Sequence, residues 1–292
     1  MRIAFLPAVA ALVCSAANAQ TVDVQQPGAP WLSNIETPRS TAMGGAGAAI
    51  ATGNDALFIN PAGLAQLRKY HLEVDGVLDT RFPAQGLLLS VADSTSGPFG
   101  SGLLYAHWGS GRDDGRAQGW LAGAGISYNL GSVYFGTLTK YFHFNVPLSD
   151  ASPDGTVHRF AQDVGILARR GDFSFAAVVQ NISLQSHPLF PLTTTLAVQY
   201  GSDASSHLAF DYKADLADTS NPKHKLAAGY EILLDAFAVR AGGTYDATNK
   251  LWWLSGGVGL LTEKGGVQLV YRRRLSGELD YLFEAGLTLF LE

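Results

Sequence analysis

From Tyr70 to the C-terminus apolar and polar residues alternate with a period of two, the pattern of strands with one greasy and one wet side. In 70–79, Tyr70, Leu72, Val74 and Leu78 share one face, and His71, Glu73, Asp75 and Asp79 share the other. The second face is too charged for a core. Thr194, Leu196, Val198 and Tyr200 alternate with Thr195, Ala197, Gln199 and Gly201. Leu208, Phe210, Tyr212 and Leu216 alternate with His207, Asp211, Lys213 and Asp215. The stretches 173–180, 225–232 and 237–246 divide in the same way. Further strands are predicted near 85–95, 99–109, 119–129, 131–144, 157–170, 250–261, 265–275 and 278–291. Turn chemistry separates them, as at Asn129-Leu130-Gly131, Gly171-Asp172 and Glu263-Lys264-Gly265-Gly266. The sum is about fourteen strands of roughly ten residues or more, an even number with the length to cross an apolar layer at a tilt.

Composition sharpens this picture. The chain is 47% hydrophobic and only 15% charged, against a usual quarter, yet no second long apolar run follows the first twenty residues. Two architectures fit: a soluble all-β sandwich, or an antiparallel transmembrane β-barrel whose apolar residues are spread over one face of many strands. Sandwiches show turns every 8–12 residues, whereas many strands and turns here are longer. Aromatics at Trp108, Trp120, Tyr128, Tyr200, Trp252, Trp253, Tyr271 and Tyr281 fall near predicted strand ends, where membrane–water girdles belong. The last strand places Leu279, Tyr281, Phe283, Ala285, Leu287, Leu289 and Leu291 on one parity, a wall strand in character. Its register resembles the C-terminal assembly signal of outer-membrane proteins, here closing on Phe290-Leu291-Glu292. By parity Arg273 faces lipid, which costs ~2–4 kcal/mol at the midplane and little near an interface, so it belongs beside a turn.

The first residues read as an export signal. Met1-Arg2 is a short basic start, 3–14 an apolar run, and Ala17-Asn18-Ala19 a small-residue cleavage site before Gln20. An uncleaved anchor is the lesser alternative, since the run is short for a spanning helix. The single cysteine, Cys14, lies inside the signal, so the mature chain has no disulfide or thiol chemistry. Removing 1–19 takes Arg2 and no acidic residue, leaving 19 basic against 25 acidic side chains and a net charge of −6. Apart from Arg272-Arg273-Arg274 there is no basic cluster, and no nucleic-acid partner is expected.

A ring of fourteen strands leaves a lumen wider than its own side chains fill, since about eight strands already make a packed interior. Residues 38–67 precede the first strand, are rich in small residues, have an Asn54-Asp55 helix start and stop at Asn60-Pro61-Ala62-Gly63. This stretch is compact, partly helical and able to fold inward as a plug. Polar residues on the wet face would hold it: Glu73, Asp75, Arg159, Asp163, Asp211, Lys213, Arg240 and Arg272. For any one of them the plainer role is to line a hydrated interior.

Arg39-Ser40-Thr41-Ala42-Met43-Gly44-Gly45-Ala46, then Asn54-Asp55-Ala56, then Asn60-Pro61-Ala62-Gly63-Leu64-Ala65 resembles the N-terminal region of the FadL-like outer-membrane proteins. That superfamily includes long-chain fatty acid and aromatic-hydrocarbon transporters and the PorV/PorQ-type proteins of a secretion system. The resemblance implies a hatch inside a fourteen-strand barrel, with Asn60-Pro61-Ala62 part of the hatch. The chain then divides into a signal peptide (1–19), an N-terminal segment with the luminal hatch (20–68) and a transmembrane barrel (69–292). Hatch residues are Gly44, Gly45, Gly47, Asn54, Asp55, Asn60, Pro61, Ala62 and Gly63, the glycines letting it pack and Pro61 fixing its turn.

No enzyme is expected. Gly44-Gly45-Ala46-Gly47 is not fed by a strand and opens no βαβ unit, so it is not a nucleotide loop. No G-x-S-x-G elbow occurs, and Gly109-Ser110-Gly111 reads as a turn. The seven histidines, His71, His107, His143, His158, His187, His207 and His224, are scattered, with no two at metal-ligand spacing, although two distant strands could still supply a site. No cofactor and no metal are assigned. The function implied by the resemblance is passive passage of a hydrophobic small molecule through a hatch-plugged barrel and sideways into outer-membrane lipid. The alternative is a PorV-like scaffold that docks a partner protein.

Overall fold

The computed structural model describes residues 35–80, 84–95, 97–110, 118–145, 156–182, 190–202, 204–216, 218–276 and 280–291. The expected signal peptide, Cys14, His187 and the start of the last predicted strand lie outside these residues. Fourteen antiparallel strands follow one another around a closed ring. In chain order they are β1 (Tyr70–Asp79), β2 (Ala84–Asp93), β3 (Phe99–Ser110), β4 (Gln118–Asn129), β5 (Val133–Asn145), β6 (Thr156–Arg170) and β7 (Phe173–Gln180). Then come β8 (Thr193–Ser202), β9 (Ser206–Asp215), β10 (Lys223–Leu234), β11 (Phe237–Asp246), β12 (Leu251–Thr262), β13 (Gly265–Arg274) and β14 (Tyr281–Leu291). The ring closes where β1 pairs with β14, from Tyr70 opposite Leu291 to Asp79 opposite Leu282. Closure leaves no edge strand, which removes the sandwich alternative.

The two faces of each strand go where the alternation requires, with the apolar side outward. On β1, Leu72, Val74 and Leu78 are exposed while His71, Glu73, Asp75 and Asp79 are buried. On β14, Phe283, Leu287 and Leu289 are exposed while Glu284 and Thr288 are buried. A closed ring with an apolar outside is a membrane-spanning barrel, in which every backbone group of the wall is paired within the protein. No helix among the described residues is long and apolar enough to cross a membrane.

Outward aromatics collect at both ends of the wall. Toward one rim Tyr105, Trp120, Tyr141 and Phe160 lie on successive strands, and Tyr245 stacks on Trp252 with centroids 4.4 Å apart. Toward the other, Phe99 meets Tyr128 and Phe173 meets Tyr200, both at 4.8 Å. Two of the aromatics expected there face inward instead. Trp108 is 1% exposed, packed in the lumen with Leu121, Phe142 and Phe144. Trp253 shares the inward parity of buried Ser255. Nearness to a strand end sets the height of a ring along the barrel, and parity alone sets its face. Arg273 is exposed one residue before β13 ends, with its guanidinium 5.7 Å from the Tyr281 ring.

The strand connections differ at the two rims. At the rim where β14 ends, β6 passes to β7 through Gly171-Asp172 and β10 to β11 through Asp235-Ala236, with Gly171 and Asp235 at positive φ, as tight hairpins need. The opposite rim carries the longer links 111–117, 146–155 and 181–192.

Candidate functional site

The lumen is occupied by the N-terminal segment. Helix α1 (Pro38–Ala42) lies against β11 to β14, helix α2 (Asn54–Phe58) against β1 to β3, and a 3-10 helix (Pro61–Ala65) against β3 to β6. Ala48, Ala49 and Ala62 pack on Leu167, Ala176, Val178 and Ala197 of β6, β7 and β8, and Met43, Ala46 and Ile50 pack with Ala209 of β9 and Ala227 of β10, completing the circuit. Ala42, Met43, Ala46, Ala49, Leu57, Asn60 and Leu64 are fully buried.

Close approach between segment and wall depends on glycines that face inward from the strands. A Cβ at Gly100 would stand 2.6 Å from the Leu64 carbonyl, one at Gly229 2.8 Å from Met43 Cα, and one at Gly257 2.7 Å from Ala42 Cβ. At Gly136 it would overlap the Pro61–Ala62 peptide, and at Gly165 the Asn60 side chain. These positions are sockets for backbone, one use of a glycine inside a strand. Beyond the glycines of the segment, its partners in the wall are also glycines, marked in the chain only by their inward parity.

The Asn60-Pro61 step is held from several sides. Asn60 caps the 3-10 helix, its Oδ1 accepting from Ala62 N at 3.1 Å, while its Nδ2 donates to the Ala48 carbonyl at 2.8 Å. The stop expected at Asn60-Pro61-Ala62-Gly63 is therefore the start of a short helix, because Asn60 has the extended backbone of a cap and Pro61 the first helical position. Gly53 precedes α2 at φ 54°, and a side chain there would meet the His71 ring. Replacing Asn60 with alanine leaves the Ala48 carbonyl and Ala62 N–H unpaired in a dry site. The expected cost is about 1–3 kcal/mol, read as a lower denaturant midpoint for the micelle-bound barrel.

Glycine-rich 44–51 does cradle an anion, and the anion is a wall carboxylate. Asp211 Oδ2 accepts from Gly47 N at 3.0 Å and Ala48 N at 2.9 Å. Gly44 and Gly45, at φ 70° and 85°, turn the chain into this loop, and Thr244 donates its hydroxyl to the Gly44 carbonyl.

The rest of the polar half centres on Glu231 of β10, 1% exposed, which the candidate set omitted. Arg39 of α1 grips it with two hydrogen bonds of 3.0 and 2.8 Å. Arg240 bonds the same carboxylate from β11 and reaches Gln268 at 2.8 Å. His207 Nε2 stands 3.5 Å away. Arg39 also lies 3.8 Å from Asp55, whose carboxyl burial pushes above the ordinary range while Arg39 opposes the shift. Arg272 pairs with Glu36, and Thr41 donates to Glu284 at 3.0 Å.

Of the other candidates, Asp163 is bridged by Lys140 at 2.7 Å and accepts from Asn181 N, so Lys140 was also missed. Arg159 has the inward parity of Asp163 but lies exposed near the start of β6, bonded only locally to the His158 carbonyl among its described contacts. Parity alone could not show that it stands clear of the packed lumen. Glu73 and Asp75 are buried next to α2 and β14, and Glu73 Oε1, Asp75 Oδ1 and Glu284 Oε2 have no hydrogen-bond partner among the described residues.

The other half of the lumen is apolar. Leu57, Phe58 and Leu64 of the segment meet Leu88, Leu104, Trp108, Leu121, Leu138, Phe142 and Phe144 of the wall. Phe190, from the β7–β8 link, packs on Phe142 with centroids 4.2 Å apart. Two cavities flank the wall at β8 to β11. Inside, about 60 Å³ remains between Gly44, Gly45, Ala48 and Ile59 of the segment and Thr195, Asp211, Lys213 and Ala227 of the wall. Outside, an apolar groove of about 570 Å³ runs between Leu196, Phe210, Tyr212, Tyr245 and Trp252, floored by Ala228 and Gly243. Asp211 and Ala227 border both.

These features define a membrane-spanning β-barrel of fourteen strands whose lumen is filled by its own N-terminal segment. Among solved structures, the chain is similar to the CymD monoaromatic hydrocarbon channel (13% identity, TM-score 0.69, covering 87% of this chain and 97% of that one). It is similar also to the Ralstonia pickettii toluene transporter TbuX (13%, 0.68, 89% and 99%) and the P. putida toluene transporter TodX (14%, 0.60, 86% and 96%). The likeness is one of fold, and it is the fold that the FadL-like resemblance of 39–65 implies. No protein-family model and no curated protein matches the chain.

Proposed function

We propose that this chain is an outer-membrane channel of FadL-like type, through which small apolar molecules pass without energy input, past the N-terminal segment acting as hatch and sideways into the bilayer. The observation that carries the reading is the pair of cavities sharing Asp211 and Ala227, one beside the segment and one open to lipid. The inner cavity, about 60 Å³, is smaller than the ~150 Å³ apolar cavity that holds a benzene ring. Passage therefore requires 44–51 to move, and the small side chains of that loop and its hydrogen bonds to Asp211 suit a limited displacement. The similar structures are a monoaromatic hydrocarbon channel and two toluene transporters, which supports a cargo of that size. Short turns at the rim where β14 ends would face the periplasm and the longer links the exterior. An N-terminal signal peptide, removed after Ala19, would deliver the chain there.

Vesicles with a lipopolysaccharide outer leaflet test the reading, because that charged layer resists apolar solutes. Labelled toluene is expected to enter faster with the protein than without it, and Ala227→Phe, which fills the shared wall position, is expected to return uptake toward the protein-free rate. Uptake at the protein-free rate for the native chain sinks the channel reading and leaves the scaffold.

A further inference from the structure

Near the rim with the long links, an outward row of rings crosses four strands: His107 on β3, Trp120 on β4, His143 on β5 and His158 on β6, each opposite the next in register. Trp120 stacks on His143 with centroids 5.5 Å apart. His143 and His158 face each other with their Nδ1 atoms 3.2 Å apart, and the Tyr141 hydroxyl lies 2.8 Å from the same His158 nitrogen. A neutral imidazole nitrogen has one lone pair, so His158 Nδ1 cannot accept from both neighbours at once. Two imidazole nitrogens and a phenol oxygen thus converge on one point of the surface.

We propose that His143 Nδ1 and His158 Nδ1, with Tyr141 Oη as a third donor, form a binding site for a divalent transition metal ion. Two nitrogens each ~2.05 Å from a tetrahedral ion stand about 3.3 Å apart, close to the separation already present. Imidazole donors select copper or zinc over calcium and magnesium, and Cu²⁺ binds most tightly in the divalent series. The ion takes the Nδ1 lone pairs while each Nε2 keeps its proton. Open coordination positions lie on the outward face of the wall at the height of the aromatic rim, where interfacial water completes the ion's shell. His107, separated from His143 by the Trp120 strand, is not a ligand. Among the described residues no group of three His, Cys, Asp or Glu side chains gathers for a metal; this site needs only two, because tyrosine supplies the third donor.

The test uses the untagged mature protein folded in detergent micelles, titrated with Cu²⁺. Tryptophan fluorescence and the nitrogen hyperfine pattern of the Cu²⁺ paramagnetic resonance spectrum are followed together. One saturable equivalent is expected, with two-nitrogen coupling and quenching that Trp120→Phe reduces. His143→Ala and His158→Ala should each weaken binding at least about tenfold, the scale reached even by changes around metal ligands. Tyr141→Phe should weaken it less, and His107→Ala should leave it unchanged. These side chains are on the exposed face, and heat-modifiable migration checks that each variant is folded. Equal affinity in the His143→Ala/His158→Ala double variant, or no saturable binding by the native protein, overturns the site.

Discussion

Replacing Glu231 with glutamine is expected to destabilise the barrel by about 3–5 kcal/mol, because it leaves two arginines in a dry lumen without their shared carboxylate. Arg39 enters from the segment and Arg240 from the wall, and Glu231 lies between them at 2% side-chain exposure. The remaining partners do not replace it: Asp55 is 3.8 Å from Arg39, and Gln268 gives Arg240 a neutral acceptor. The loss should appear as a lower denaturant midpoint of the folded, heat-modifiable form. It should also loosen the segment at α1, so single-channel recordings should show a higher conductance than that of the native barrel. Arg39→Met in the same background removes one of the two charges that lost Glu231 and should restore part of the midpoint. A Glu231→Gln barrel as stable and as closed as the native one would remove Glu231 as the anchor.

Gly136→Leu is the second change of large expected effect. Its Cβ alone would overlap the peptide between Pro61 and Ala62, which is backbone and cannot turn aside. Overpacking in a tight interior typically costs about 1–3 kcal/mol and more where nothing can yield. Here the collision falls on the 3-10 helix that lies against β3 to β6, so the helix should be pushed from its seat. Protease access to 61–65 in the folded barrel and a raised bilayer conductance are the readouts. Gly76→Leu is the control, since nothing lies within 4 Å of a Cβ there; it should be silent in both assays. If Gly136→Leu is also silent, the segment is not held by backbone contact at this socket.

The wall was legible in the chain because its physics is local. Alternation at Leu72, Val74 and Leu78 against Glu73 and Asp75 needs only neighbouring residues to be read, and a membrane demands that division of every strand. Asn60-Pro61 likewise announced a backbone feature through its own chemistry. Partners were not legible, because register around the ring sets them. Arg39 meets Glu231 across 192 residues and Asp211 meets Gly47 across 164. Trp108 was read outward because height along the barrel and face of the wall are separate coordinates, and only parity within β3 gives the second.

The sequence by itself therefore determined that this is a β-barrel with an apolar exterior and a compact, glycine-rich N-terminal segment, since period and composition act residue by residue. Only the tertiary structure decided which inward glycines receive the segment and that Glu231 is its anchor. It also decided that His143 and His158, fifteen residues apart in the chain, share a point on the rim. Each of these depends on strand pairing and ring closure, which place distant residues within a few ångströms, and no local pattern encodes a distance between strands.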